Sequence, residues 1–338
     1  MAQALRFYQL ADGYAYNSDS LLLLDFAANF LSSTPANPPT NTTKKHLQTQ
    51  HAKPLKRPVR VLDMGTGCGI LGVACALHFG AQVVAIERNP TMAYLATINA
   101  RTNLQNLRTH STQNTTSRAQ HIAPHSSDTS KHQSGFCEVV CADFLDPDIP
   151  NTALSILNSP RMSNQDFRAE SSTNMAHTAS TTKPQRFDTL IANPPFYHGG
   201  TLESTNTHLA LARYERALPL RAWIHQSKRL LTPRGELIFC YQASALPRVL
   251  ESLELEGFTC EQLRLIYPLI NRSAKLALLY ARLDSRAKLN ILPPLITHNS
   301  PEQSDFTQEV ASIYMRYPTH SIKVYTDDVV ETEGFDFD

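Results

Sequence analysis

Val59-Arg60-Val61-Leu62-Asp63-Met64-Gly65-Thr66-Gly67-Cys68-Gly69 is an apolar run that ends in alternating glycines. Val59–Met64 reads as a buried strand, and Ile70–Phe79, directly after the glycines, as a helix. Glycine allows a ligand close to the backbone, and the first turn of a helix offers amides without internal partners. Strand, glycine turn and helix in this order form the first unit of an open α/β sheet, whose ligands bind outside the carboxyl ends of the strands.

The alternation continues outward from this unit. Gln82–Ile86 reads as a second strand, and Pro90 opens a helix to about Asn103, with proline in its favoured first-turn position. Phe136–Cys141 and Phe187–Ala192 are third and fourth strands. A helix over Ala217–Leu231 is stopped by Thr232-Pro233-Arg234-Gly235, before a fifth strand at Glu236–Tyr241. A helix over Ala245–Glu256 and strands near Thr259–Ile266 and Leu276–Arg282 follow, the last two forming an antiparallel edge hairpin turned around Asn271-Arg272. Near the start, Asn17, Ser18 and Asp19 can cap a helix over Ser20–Phe30, and near the end Thr307–Tyr314 reads as helix. The expected fold is α/β and Rossmann-like: a mostly parallel seven-stranded sheet with helices on both faces. Ser32–Arg57, Gln105–Ser134 and Asn158–Gln185 are polar and aperiodic. They are expected as flexible insertions (32–57, 105–134, 158–185) in a single domain spanning 1–338.

A net charge of +1 argues against indiscriminate coating of nucleic acid but leaves room for a local basic face. The six cysteines fall largely in apolar runs without paired CxxC spacing, so they read as reduced core thiols of a cytoplasmic protein, with no metal site. Leu21–Leu24 is too short for a membrane span, and Asp25 interrupts it.

Two groups of residues carry chemistry. The first lies at successive strand ends: Asp63, Gly65, Thr66, Gly67 and Gly69 in the glycine turn, Glu87 after the second strand, Asp143 and Phe144 after the third. A carboxylate at Glu87 can accept hydrogen bonds from both hydroxyls of a ribose. Gly67-Cys68-Gly69-Ile70-Leu71-Gly72 also fits GxGxxG, with Glu87 where a dinucleotide fingerprint places its acid. A nicotinamide dehydrogenase is therefore a rival reading. Asp63 would repel a pyrophosphate but attract the ammonium of an amino acid, and Asp143 suits an adenine amine, so S-adenosylmethionine (SAM) is preferred. The second group is Asn193-Pro194-Pro195-Phe196-Tyr197, closing the fourth strand. Each proline fixes its own φ and biases the residue before it toward extended backbone. The Asn193 amide and the Pro194 carbonyl then sit side by side as acceptors for a planar amine, with Phe196 and Tyr197 as stacking faces.

DMGTGCG together with NPPFY resembles the class I SAM-dependent amino-methyltransferases. Within that group the chain is most similar to the bacterial tRNA1(Val) adenine-N6-methyltransferase family. The further similarities are Gly13-Tyr14-Ala15-Tyr16-Asn17-Ser18-Asp19 before Leu21–Leu24, Ala212-Arg213-Tyr214-Glu215, Lys288-Leu289-Asn290-Ile291, Phe306-Thr307-Gln308-Glu309 and Ile313-Tyr314. The resemblance covers nearly all the chain except the insertions. It implies a catalytic group of Asn193, Pro194, Pro195, Phe196 and Tyr197. It also implies cofactor contacts from Tyr16, Asp19, Asp63, Gly65, Thr66, Gly67, Gly69, Glu87, Asp143, Phe144 and Asn193. A monomer acting on tRNA is expected, with Lys53, Lys56, Arg57, Arg60, Arg213, Arg216, Arg221, Lys228 and Arg229 as basic candidates for RNA contact. Two alternatives are guanine-N2 enzymes, similar at His198-Gly199-Gly200, and protein glutamine-N5 enzymes, which carry a helical domain for which the stretch before Asp63 has little room. A degenerate fold that binds RNA without methylating it is a further alternative, set against intact Asp63, Glu87, Asp143 and Asn193.

Overall fold

The computed structural model describes residues 4–13, 15–31, 58–116, 135–159, 185–197 and 213–330. The expected insertion 32–57, most of 105–134 and 158–185, and Lys53, Lys56, Arg57 and His198-Gly199-Gly200 lie outside these residues.

In chain order the central strands are β2 (Arg60–Met64), β3 (Gln82–Glu87), β4 (Phe136–Cys141), β5 (Phe187–Ala192), β6 (Leu231–Gln242), β7 (Phe258–Tyr267) and β8 (Leu276–Leu283). They lie side by side as β7-β8-β6-β5-β2-β3-β4, and two short strands, β9 (Asn290–Ile291) and β10 (Leu295–Ile296), add to β7. Neighbours from β4 to β6 are parallel, whereas β8 runs antiparallel to both β6 and β7. The expected edge hairpin therefore exists, with its second strand inserted between β6 and β7. The chain reverses strand order between β2 and β5, which leaves a crevice at the carboxyl ends there.

The two faces of the sheet carry separate cores. Val61, Val83, Ala85, Ile191, Ile238 and Cys240 face α1 (Ser18–Leu31) and α2 (Ile70–Phe79). Leu62, Met64, Val84, Ile86, Leu190, Ala192, Leu237, Phe239 and Tyr241 face α4 (Ile149–Leu157), α5 (Leu220–Leu230) and α6 (Leu246–Leu255). Strand side chains alternate between faces, so Asp63 and Asn193, two residues beyond Val61 and Ile191, belong to the α1–α2 side. Leu22, Leu23, Leu24 and Phe26 of α1 are buried. Each adds roughly 1.5–3 kcal/mol of burial, enough to fix the helix on the sheet. At its far end, the Phe30 ring stacks on Tyr280 of β8 with centroids 3.9 Å apart.

Three expectations need amendment. The helix from Pro90, α3, continues to Thr116 rather than ending near Asn103, reaching into the stretch read as an insertion. The helix expected from Ala217 starts at Leu220, after a short 3-10 turn over Glu215–Ala217. The strand β6 begins at Leu231 and passes through the expected stop, with a register shift against β5 and Arg234 at φ 61. Outside the central sheet, β1 (Leu5–Leu10) pairs in parallel with β11 (Thr319–Val324), after α7 (Gln308–Arg316). Among the described residues no helix is long and apolar enough to cross a membrane. All six cysteines are free, and only Cys141 is exposed.

Candidate active site

The glycine turn leaves β2 with Gly65, Gly67 and Gly69 at φ 65, 59 and 89, conformations that strain any L side chain. A Cβ on Gly65 would meet nothing within 4 Å, so the backbone here borders open space. That space is a cleft of about 800 Å³, including its open mouth, within the usual range for small-molecule sites. Its lining brings together Gly65, Gly67, Glu87, Asp143, Phe144, Asn193 and Pro195, all anticipated from sequence.

Glu87 reaches back to the turn: its carboxylate accepts from Gly67 N at 2.9 Å and Asn89 N at 2.8 Å. Asp143 accepts from Leu145 N at 2.9 Å and stands 3.5 Å from Arg88 Nε. Beneath the turn, fully buried Asp63 accepts from the Thr66 hydroxyl and from Gly72 N at 2.7 Å through one oxygen, Oδ2. Its other oxygen, Oδ1, is buried without a hydrogen-bond partner. Burial pushes the Asp63 carboxyl up to about 7 despite these hydrogen bonds, and the Glu87 charge adds to the push. Burial also raises Glu87, opposed by the amides of Asn89 and Gly67.

These groups distinguish the two cofactors weighed above. The Gly72 amide is taken by the internal Asp63 carboxylate. Two acidic groups behind and beside the turn favour a cation there and oppose a pyrophosphate. The orphaned Asp63 oxygen, the open space over Gly65 and the acceptors Glu87 and Asp143 fit the ammonium, ribose and adenine of SAM.

Asn193 stands at the carboxyl end of β5. Its Nδ2 donates to the Ser20 hydroxyl at 3.2 Å, and its Oδ1 accepts from the Cys240 thiol at 2.9 Å. Pro194 is buried, whereas Tyr197 is exposed. The Phe196 ring lies 5.3 Å from Tyr197 and 5.7 Å from Tyr241. Pro194, Phe196 and Tyr197 border the site without lining the cleft. Asp63, Thr66 and Gly69 support the turn from behind. Asp19 sits in the first turn of α1, where Asn17 caps it and burial raises its carboxyl. Tyr16 lies off the lining, with its hydroxyl donating to Thr319 Oγ1 at 2.7 Å.

Sequence reasoning missed Arg88, Asn89, Met92, Ala217 and Leu218, which also line the cleft. Arg88 Nη1 donates to Ala217 O at 3.3 Å across it. Its one sequence signal is adjacency to Glu87. Among the basic candidates, Arg60 is committed to Asp188, and Arg221 and Lys228 pair with buried Glu256. Arg213 and Arg216 are exposed beside the Tyr197–Tyr214 bridge.

Comparisons agree with this geometry. Residues 39–145 match the family model for ribosomal protein L11 methyltransferase (PrmA). A tRNA1(Val) (adenine(37)-N6)-methyltransferase of Porphyromonas gingivalis is 40% identical over 53 residues, 16% of this chain and 20% of that protein. A protein of the same name from Glaesserella parasuis is 28% identical over 133 residues, 39% of this chain and 55% of that one. The chain thus spans at most about half the length of these curated relatives. A solved structure of a predicted O-methyltransferase from Agrobacterium tumefaciens superposes with TM-score 0.50 at 18% identity, covering 90% of this chain and 100% of that one, a likeness of fold. In its architecture and its glycine-turn site, the chain is similar to the class I SAM-dependent methyltransferases.

Proposed function

We propose that this chain methylates adenine N6 in tRNA of the tRNA1(Val) type, at the base next to the anticodon. The observation that carries the reading is Asn193, whose side chain borders the same cleft as Gly65, Gly67, Glu87 and Asp143. SAM supplies a methyl group already activated on a sulfonium. The chain's own part is to hold the amine in line and favour a tetrahedral nitrogen. The Asn193 amide oxygen and the Pro194 carbonyl accept the two hydrogens of the exocyclic amine, which turns its lone pair out of conjugation. Phe196 and Tyr197 offer stacking faces, each worth roughly 1–3 kcal/mol to a base. An unpaired loop base reaches them without the cost of leaving a duplex. The curated relatives' names support adenine over guanine and over glutamine. The ribosomal-protein family model ends at residue 145, before Asn193, and speaks to the cofactor half alone.

The test is transfer of labelled methyl from SAM to total tRNA, rRNA, DNA and protein, followed by nucleoside and amino-acid analysis. N6-methyladenosine in tRNA is expected, and Asn193→Ala should lower turnover by about 100-fold while retaining SAM binding. N2-methylguanosine or N5-methylglutamine as product would refute adenine as the target. A fully active Asn193→Ala protein would refute the mechanism.

A further inference from the structure

Asn193 needs more than position. Its amide can rotate about χ2, and only one of the two planar orientations directs the oxygen to a given place. The backbone prolines do not decide between them. Two side chains from distant parts of the sequence do contact that amide.

Cys240 lies on β6, one residue beyond Phe239, which pairs with Ala192. Strand alternation puts Cys240 on the α1 side, level with Asn193, and it is fully buried. Its thiol donates to Asn193 Oδ1 at 2.9 Å. Burial and then the nearby Asp19 carboxylate raise the Cys240 thiol well above its ordinary value, so it stays protonated and remains a donor. From the other side, Ser20 in the first turn of α1 is buried and accepts from Asn193 Nδ2 at 3.2 Å. The thiol favours the orientation that turns the amide oxygen toward its S–H, because the rotated amide would set its NH2 against that donor. The Ser20 hydroxyl, able to accept or donate, receives the Nδ2–H in this orientation. The amide oxygen has two lone pairs, so one remains for an incoming amine.

We propose that Cys240 and Ser20 are positioning residues that set the orientation of the Asn193 amide for methyl transfer. The proposal rests on the role given to Asn193 above. Neither residue needs to touch substrate. The interactions are modest, on the scale of a neutral hydrogen bond, so removal of one should slow turnover by about 5- to 10-fold.

Three variants, Cys240→Ala, Cys240→Ser and Ser20→Ala, separate this role from simple packing. With SAM and bulk tRNA, Cys240→Ala should lower kcat by about 5- to 10-fold and leave the SAM dissociation constant within about twofold of wild type. Cys240→Ser keeps a donor at the same place and should restore kcat. Ser20→Ala probes the opposite end of the amide and carries the kinetic test alone if Cys240→Ala fails to fold; a lowered kcat is expected there too. Infrared spectroscopy gives a reading that needs no turnover. The S–H stretching band that disappears in Cys240→Ser is assigned to Cys240, and it should shift to higher frequency in Asn193→Ala as the thiol loses its acceptor. Wild-type kcat in Cys240→Ala, or a Cys240→Ser protein as slow as Cys240→Ala, would overturn the proposal. So would wild-type kcat in Ser20→Ala, or an S–H band unmoved in Asn193→Ala. A slow Asn193→Ala beside a normal Cys240→Ala would refute the orientation role alone. Absence of methyl transfer to tRNA by the wild-type protein would refute the assigned substrate and leave the infrared band to decide the contact.

Discussion

Asp63 combines full burial, one satisfied oxygen and one orphan. In the folded chain without cofactor its carboxyl holds a proton up to about pH 7. In the unfolded chain it ionises near 3.9. The folded form therefore binds more protons between these values, and the contribution of Asp63 to stability falls as pH rises through that window, then levels. A cation over the glycine turn reverses the preference, because it stabilises the carboxylate. SAM binding near pH 6.5 should thus release protons, measured by calorimetry in buffers of different ionisation enthalpy. Asp63→Asn should abolish that release and weaken binding by roughly tenfold, the equivalent of about 1.4 kcal/mol. Unchanged proton release in this variant would remove Asp63 from the cation's surroundings. The residue's place before the first glycine was legible in sequence; its orphaned oxygen was not, since that depends on Thr66 and Gly72 turning to the same Oδ2.

At the scale of elements, the outer edge of β1 is finished by a helix. Asn99 Oδ1 accepts from Tyr8 N at 2.8 Å, and its Nδ2 donates to Tyr8 O at 3.0 Å and to Cys68 O at 2.8 Å. One helical turn on, Asn103 repeats the pattern with Arg6, accepting from its N–H at 2.9 Å and donating to its carbonyl at 2.7 Å. The repeat distances match: two strand residues advance about 6.6 Å and four helical residues about 6 Å. Two side-chain amides on α3 thus serve as ladder rungs for a strand, and Asn99 also fastens the glycine turn. Asn99→Ala should cost about 2–4 kcal/mol in denaturant unfolding and weaken SAM binding, as buried peptide groups lose their partners. Asn103→Ala should cost similar stability but leave SAM affinity near wild type, because it lacks the bond to Cys68. Equal SAM affinities in the two variants would show that the fastening is irrelevant to the cofactor.

Over the whole molecule, legibility followed local apolar runs. Phe187–Ala192 was read to the residue because a strand inside a parallel sheet is a near-continuous apolar run bounded by turns. Phe136–Cys141 was read to the residue as well, from its apolar run, although it is the edge strand and mostly unburied. Leu5–Leu10 and Thr319–Val324 were missed, since each gains its partner only from the opposite end of the sequence. Asn193, Glu87 and Asp143 were legible at strand ends, whereas Ala217 and Leu218 reach the cleft from a turn whose local sequence resembles any helix start. The clasp between β1 and β11 includes Gln9 Nε2 donating to Ser321 Oγ at 2.7 Å and Tyr16 to Thr319. Deleting residues 319–330 should lower the melting temperature and weaken SAM binding, compared by calorimetry with the full chain. Unchanged SAM affinity would show that β1 holds without its partner.

That clasp has a consequence for how the protein is made. A ribosome releases Leu5–Leu10 before every strand of the central sheet and Thr319–Val324 after all of them, so β1 waits through the synthesis of that whole sheet for its neighbour. Until then a nascent chain can hold every strand of the central sheet and an intact glycine turn, yet lack the brace that runs from β11 through β1 and Asn99 to Cys68. Capacity to retain the cofactor is thereby tied to the emergence of β11.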